Sequence, residues 1–280
     1  MIEGKKSIRY IKNFFIYLLL LALTVVFIMP FVWLLSTALK SSSQSVYSFP
    51  PTFIPRPPVL DNFIEAWTSV PFPKYLFNSF ALIVLMVPAH LFLTALTAYP
   101  LARMDFPGKK ILFYLVLGTM FMPEEAMLVP MFLMAQELNL ANSWGGVVFP
   151  GLVGGFAIFL MRQSYLSIPK EMEEAAKIDG CGFFKTWWKV ILPMARPTLA
   201  ALSIISFVSV WNSFMWPLII LNNDNLYPLS LGLAYLSGTF GNEVRVMAAG
   251  TVISLVPIIV FYLMMQKHFV AGLAQGAVKG

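Results

Sequence analysis

Few side chains in this 280-residue sequence can do chemistry. Thirteen acids, two histidines and one cysteine are scattered through a chain that is 59% hydrophobic. The single Cys181 excludes an internal disulfide and any multi-cysteine metal site. His90 and His268 are far apart, in apolar or terminal segments, and give no metal or proton-relay centre. His90 reads as a satisfied packing residue. Three groups remain. Glu171, Glu173, Glu174 and Asp179 crowd a stretch that also holds Lys170, Lys177, Lys185, Lys189 and Arg196. Glu124 and Glu125 follow Pro123 inside an apolar run. Trp211, Asn212, Ser213 and Trp216 set ring faces beside hydrogen-bonding groups. None of these joins acid, histidine and nucleophile at one depth, as an enzyme site requires. No G-x-x-x-x-G-K-[ST] phosphate loop is present, so the chain itself should bind no ATP and no cofactor.

The elements that carry these groups follow from composition. Charged residues are only 11% and mean hydropathy is +0.77, which makes lipid the expected solvent. No basic face interleaved with aromatics offers itself to nucleic acid. Apolar runs near Phe14–Thr37, Leu76–Tyr99, Ile111–Ala135, Trp144–Met161, Leu199–Leu221 and Met247–Gln266 can each cross roughly 30 Å of hydrocarbon. The expected fold is an all-α integral membrane protein with six transmembrane helices. The apolar core of the first run exceeds that of a signal peptide, so an uncleaved first helix is expected. No internal repeat or set of intramembrane ion ligands points to a secondary transporter.

Basic residues set the orientation. Fifteen fall before the first span, between the second and third, between the fourth and fifth, and after the sixth. Lys40, Arg56, Lys74 and Arg245 are the four on the other side. Both termini are therefore expected in the cytoplasm. The implied division is 1–13 as a cytoplasmic N-terminal segment, 14–266 as the six-span domain, with a cytoplasmic loop at 170–197, and 267–280 as a cytoplasmic tail. Ser41–Pro73 reads as turn and extended chain, because Ser and Pro dominate it. Asn222–Arg245 reads as a second outer loop, polar at first, with Gly232, Gly238 and Gly241 later. Pro88, Pro123, Pro130, Pro150, Pro217 and Pro257 lie within spans. They are either tolerated, as transmembrane helices allow, or kink helices that line a path. Glu124 and Glu125 must face a cavity or partner chain, lie near the outer interface, or cap a half-helix after Pro123.

The charged stretch reads as helix, break, helix. Pro169 suits a first turn and Glu171, Glu173 and Glu174 favour the positive helix start. Ala175 and Ala176 are strong helix formers, and Gly180 is a plausible stop. Ala176 and Gly180 are four apart, which predicts one nearly flat face flanked by Glu174 and Asp179. The second helix, roughly Phe183 to Leu192, carries Trp187, Trp188 and Lys189 and suits the membrane interface. Pro193 and Pro197 then turn the chain back. The stretch is either a solvated amphipathic linker or a socket for another protein.

This stretch resembles the signature loop of importer permeases of the ATP-binding cassette class. Their pattern is Glu-Ala-Ala, three residues, Gly, nine residues, Ile, one residue, Leu-Pro. Here Glu174-Ala175-Ala176 is followed by Gly180, then by Val190, Ile191, Leu192 and Pro193, with Val190 as the one departure. The tail "HFVAGLAQGAVKG", His268 to Gly280, resembles that of the smaller six-span partner in maltose-type sugar permease pairs. "WNSFMWPLII", Trp211 to Ile220, and "YPLARMDFPGK" after the second span fit the same carbohydrate family. The resemblance covers nearly the whole chain.

The resemblance implies the type I importer permease fold, in a bacterial cytoplasmic (inner) membrane. It implies a second homologous permease, a dimer of nucleotide-binding ATPase subunits that hold ATP and Mg, and an extracytoplasmic sugar-binding protein that delivers a sugar. Glu174 would pair with a basic residue of the ATPase. Ala175, Ala176 and Gly180 would permit close approach, and Asp179 would brace the loop. Gly272, Gln275, Gly276 and Lys279 in the tail would lie along the ATPase dimer. Asn222–Arg245 would reach into the binding protein, or serve as a plain connector. Sugars bind to aromatic faces together with hydrogen-bonding side chains. Trp211, Asn212 and Trp216 are thus candidates for the substrate path; Glu124 and Glu125, which are no part of the family's pattern, are further candidates, either as a substrate-specific feature or as the cap of a half-helix. The motif does not separate sugar from polyamine, phosphate or amino-acid cargo. The tail and "WNSFMWPL" favour carbohydrate.

Overall fold

The computed structural model describes the backbone of residues 2–239 and 243–277, and side chains of residues 11–238 and 243–266. The described elements are helical: α1 (Ile2–Ala38), α2 (Asp61–Thr68), α3 (Phe72–Arg103), α4 (Lys109–Thr119), α5 (Glu124–Glu137), α6 (Trp144–Val148), α7 (Gly155–Ser167), α8 (Glu171–Ile178), α9 (Phe183–Thr186), α10 (Leu192–Met194), α11 (Arg196–Asn212), α12 (Met215–Ile220), α13 (Leu229–Thr239) and α14 (Val244–Ala277). Short 3-10 turns lie at Phe149–Leu152 and Asp224–Leu226, and a π turn at Trp187–Ile191. They form two compact units, Met1–Val70 with Tyr235–Leu255, and Pro71–Ala234 with Val256–Gly280.

In the first unit, α1 is a long apolar helix whose side chains from Ile11 to Val32 are exposed in this chain. Its C-terminal end is held by a device invisible in composition. Asn62 Nδ2 donates to the Ala38 and Lys40 carbonyls, both at 2.8 Å, which satisfies acceptors that a helix end leaves free. The Val59 amide adds a bond to the Leu39 carbonyl at 2.9 Å. The expectation of turn and extended chain over Ser41–Pro73 is corrected here, because Asp61–Thr68 is helix. Asp61 occupies its first turn and Asn62 and Ala66, four apart, are its buried face. Arg245 gathers the Ser41, Ser42 and Gln44 carbonyls at 3.0–3.3 Å and pairs with Glu243 at 3.2 Å.

In the second unit, α3 packs along α7 and α11. Ala95, Ala98 and Ala102 form a small-residue stripe on α3 that lets the backbones approach. Ile158, Met161, Tyr165, Trp187, Ile191 and Leu202 fill the rest of this core.

The first, second and sixth expected spans are single helices, α1, α3 and α14. The others are broken. The helices α4 and α5 meet at 105°, and the Trp144–Leu152 and Gly155–Ser167 segments at 42°. The fifth expected span stops at Asn212 and restarts at Met215. A proline ring clashes with the carbonyl four residues back. Thr119, four before Pro123, is the last residue of α4, and Ser213, four before Pro217, ends α11 as its cap. Pro88 and Pro100 in α3, Pro130 in α5 and Pro257 in α14 leave their helices continuous.

The expected loop over Asn222–Arg245 is also corrected. Its described residues include α13, where Leu229, Leu231 and Leu236 are buried. Asn78 Nδ2 donates to the Asn225 and Tyr227 carbonyls at 2.9 Å, and the Leu229 amide donates to Ser79 Oγ at 2.7 Å. Gly232 lies so near Tyr75 that a β-carbon there would fall 2.1 Å from the ring. Gly241 lies outside the described residues.

Candidate functional site

The charged stretch folds into α8, a turn, and the run α9–π turn–α10. Glu171, Glu173 and Glu174 occupy the first turn of α8, where the helix dipole favours them, and Lys177 its last. The helix ends in a Schellman motif. The Cys181 amide donates to the Ala176 carbonyl at 2.9 Å and the Gly180 amide to the Lys177 carbonyl at 3.0 Å. Gly180 adopts φ +74°, the left-handed region the motif requires.

The exposed stripe of α8 is Glu171, Glu174, Ala175 and Ile178, at i, i+3, i+4 and i+7. The flat face expected through Ala176 and Gly180 is corrected: Ala176 is only 6% exposed and is turned into the protein, while Gly180 and Asp179 lie open at the turn. Ile178 is 86% exposed, a free apolar side chain at the end of an acidic stripe. Sequence reasoning missed it, although its spacing from Glu171, Glu174 and Ala175 was there to read.

A buried residue decides which way α8 turns. Arg103, at the end of α3, forms an ion pair through Nε with Glu173 Oε1 at 3.1 Å, both side chains largely buried. Its Nη2 donates to the Tyr165 carbonyl at 2.6 Å and to the Ile168 carbonyl. Trp187 also departs from the sequence expectation. It is 1% exposed, within the core, and its Nε1 donates to Tyr165 Oη at 3.0 Å. Trp188 is exposed and stacks on Phe184.

The second group of candidates sits at the break between α11 and α12. Trp211 is 4% exposed and packs against Phe80 and Phe207, which in turn stacks on Phe261 at 3.7 Å. Asn212, the last residue of α11, is exposed. Trp216 is half-buried and donates from Nε1 to the Gly146 carbonyl at 3.0 Å. Ser230 Oγ donates to the Ser213 carbonyl at 2.5 Å, so the acceptor at the break is satisfied. Glu124 and Glu125 are exposed in the first turn of α5, directly after its break, where the dipole stabilises acids. The structure does not bring them into contact with Trp211, Asn212 or Trp216 through any hydrogen bond or ion pair among the described residues. His90 Nδ1 sits 3.1 and 3.2 Å from the Gly151 and Leu152 carbonyls. Both partners only accept, so that nitrogen carries the proton and caps the 3-10 turn of the fourth span.

Gly272, Gln275 and Gly276 fall on the backbone of α14, which continues past the expected end of the sixth span at Gln266. Their side-chain surroundings and Lys279 lie outside the described residues.

Comparison with known proteins places this architecture. Residues 4–275 match the family model of the binding-protein-dependent transport system inner membrane component. The arabinooligosaccharides transport system permease protein AraQ of Halalkalibacterium halodurans is 36% identical over 81% of this chain and 82% of that protein. AraQ of Bacillus subtilis is 32% identical over 98% of this chain and all of that protein. The sn-glycerol-3-phosphate transport system permease protein UgpE of Yersinia pestis is 30% identical over 98% of each. Among solved structures, a chain of a bacterial ABC transporter involved in import of the acidic polysaccharide alginate has a TM-score of 0.81. It covers 92% of this chain and 96% of that one at 24% identity, a likeness of fold. A family match over nearly the whole length, on a scaffold of apolar helices with three broken spans, makes this a multi-pass membrane protein and a transport component rather than an enzyme, and the chain belongs to the binding-protein-dependent transport system inner membrane components.

Proposed function

We propose that this chain is the permease subunit of an ATP-driven importer for a sugar or oligosaccharide, delivered by an external binding protein. The observation that carries the reading is the likeness to the two AraQ proteins, end to end for that of Bacillus subtilis, whose named cargo is arabinooligosaccharides. In this reading the α8 loop faces the cytoplasm and docks on one subunit of an ATPase dimer that binds ATP and Mg. A second permease of the same family completes the pathway. The stripe of Glu171, Glu174, Ala175 and Ile178 suits a groove with cations at its rim and an apolar floor. Ala175 keeps the approach close, Gly180 and Asp179 shape the turn, and Ala176 supports α8 from behind. The tail, with Gly272, Gln275, Gly276 and Lys279, would follow the ATPase surface. Closure of the ATPases would shift the permeases between two packed states.

Asn212 is the first candidate for touching substrate. It is exposed beside a break in the fifth span, and irregular backbone at membrane depth survives only inside protein or along a cavity. Trp211 would act by holding that break, and Trp216 by tying it to Gly146. Glu124 and Glu125 mark the corresponding break in the third span. The likeness to UgpE favours one second reading, a phosphorylated polyol as cargo.

The test is a cysteine cross-link. With Cys181→Ser as background, Ala175→Cys is expected to cross-link to a co-purifying ATPase, and cells should take up arabinose oligomers. Loss of any ATPase adduct, with the chain normally inserted, would refute docking through α8. Uptake of glycerol 3-phosphate and not of arabinose oligomers would favour the second reading.

A further inference from the structure

The loop at 170–197 leaves the helical body at Ser167–Pro169 and rejoins it at Ala195, so its covalent joints alone give it little rigidity. Two buried polar contacts bind it more firmly, and both run through Tyr165. The first is Arg103. Its guanidinium meets three elements: it ends α3, it donates to the Tyr165 and Ile168 carbonyls at the end of α7, and it pairs with Glu173 in the first turn of α8. Those two carbonyls belong to a helix end, where acceptors lack intrahelical donors. A planar fork of five donors can serve both and hold a carboxylate as well; a lysine ammonium cannot reproduce that geometry. Both partners of the pair are largely withdrawn from water, so deleting one leaves an uncompensated charge.

The second contact is the Tyr165 side chain. Its hydroxyl donates to the Ala95 carbonyl in α3 at 3.1 Å and accepts from Trp187 Nε1 at 3.0 Å. Tyr165 and Trp187 are both fully buried, and Phe92 of α3 meets the Trp187 ring edge to face at 6.1 Å. The segment before the turn is thus bound to α3 and α7 by Arg103, and the segment after it by Tyr165 and Trp187. Glu173 and Trp187 lie on either side of Gly180 in the sequence, so both arms of the loop are anchored.

We propose that Arg103 and Tyr165 are positioning residues that lock the α8 loop to α3 and α7, so that a displacement of α8 carries these two spans with it as one body. The proposal rests on the docking reading above, because it supplies the displacing force. It adds a route: the push on α8 enters the second and fourth spans through Glu173–Arg103 and Trp187–Tyr165, independently of the chain connection to α11.

The test uses the full complex of this chain, its partner permease and the ATPase in lipid nanodiscs, on the Cys181→Ser background. Spin labels at Met172→Cys in α8, which lies off the docking stripe, and Val84→Cys in α3, both exposed positions, report their separation by pulsed electron resonance, with and without MgATP and vanadate. The expected result is an unchanged distance in the otherwise native chain. In Glu173→Ala the distance should shift or broaden on nucleotide, and so should it in Glu173→Gln, which keeps the shape of the side chain but leaves the buried Arg103 charge uncompensated. The Ala175→Cys adduct to the ATPase, measured in a parallel preparation, should persist in Glu173→Ala; a variant that merely unfolds the loop would lose it. If Glu173→Ala does not insert, Tyr165→Phe removes only a hydroxyl and should loosen the same distance. A nucleotide-dependent distance in the native chain overturns the proposal. So does a fixed distance in the variants while the adduct forms. Absence of the adduct in the native chain brings down the docking reading instead, and with it the force that the lock would carry.

Discussion

Gly180 and Gly182 offer a comparison in which two glycines one residue apart should respond with opposite signs. A β-carbon built at either one meets nothing within 4 Å, so packing contributes nothing to the difference. Backbone conformation is the whole effect. Gly182 has φ −72° and ψ 168°, which any residue adopts. Alanine there narrows the unfolded ensemble and should stabilise by about 0.4–1 kcal/mol. Gly180 has φ +74°. An L-residue in that region costs roughly 1–2 kcal/mol. Relaxing to negative φ instead would break the Gly180–Lys177 and Cys181–Ala176 bonds, each worth about 0.5–1.5 kcal/mol net. Set against the same gain in chain entropy, Gly180→Ala should destabilise the end of α8 by about 1 kcal/mol, or about fivefold in its opening equilibrium. Amide hydrogen exchange of a peptide spanning 176–182, measured in detergent or nanodiscs, reads this directly. Faster exchange is expected in Gly180→Ala, and equal or slower exchange in Gly182→Ala. Equal behaviour of the two variants, or the reverse order, would refute the reasoning, because nothing but φ separates the sites.

Two further outcomes follow from close contacts. Gly232→Ala forces a methyl into the Tyr75 ring and should cost about 1–3 kcal/mol, seen as a lowered thermal midpoint of the purified chain, with Gly238→Ala as the tolerant control because its β-carbon meets nothing. Asn62→Asp keeps the shape of the cap on α1 but turns a donor into an acceptor facing two carbonyls at 2.8 Å; it should destabilise by at least about 1–3 kcal/mol, and exchange at Lys40 and Ser41 should rise.

Apolar helices for up to six crossings were legible because a run of apolar residues must match the thickness of its solvent. Continuity within each span was not. Pro88 and Pro100 sit inside an unbroken α3, whereas Pro123 and Pro217 stand just beyond breaks. The residue is the same, and its local steric effect is the same. What differs is the surrounding fold, which must satisfy the carbonyls that a break exposes. Ser230 serves Ser213 and His90 serves Gly151 and Leu152, in each case from another part of the chain. A local reading of composition has no access to such partners. The outer segment shows the same limit. Its Gly and polar residues read as loop, yet Asn78 and Ser79 of α3 bind its backbone, and Leu229 and Leu231 are buried.

The candidate site divides along the same line. The acids, the two alanines and the stop at Gly180 are local features, and local chemistry named them. The rotation of α8 is a long-range property. Glu173 and Glu174 are identical side chains on adjacent positions, about 100° apart around the helix. Nothing in the stretch itself says which of them faces outward. Arg103 chooses: its buried guanidinium needs a carboxylate, takes Glu173, and thereby turns Glu174, Ala175 and Ile178 outward. In the sequence Arg103 looked like one more basic residue flanking a span. Its other two partners are backbone carbonyls, which leave no trace in residue type. A residue that orients the site can thus be invisible for the same reason that it works, since it acts through groups that every residue carries.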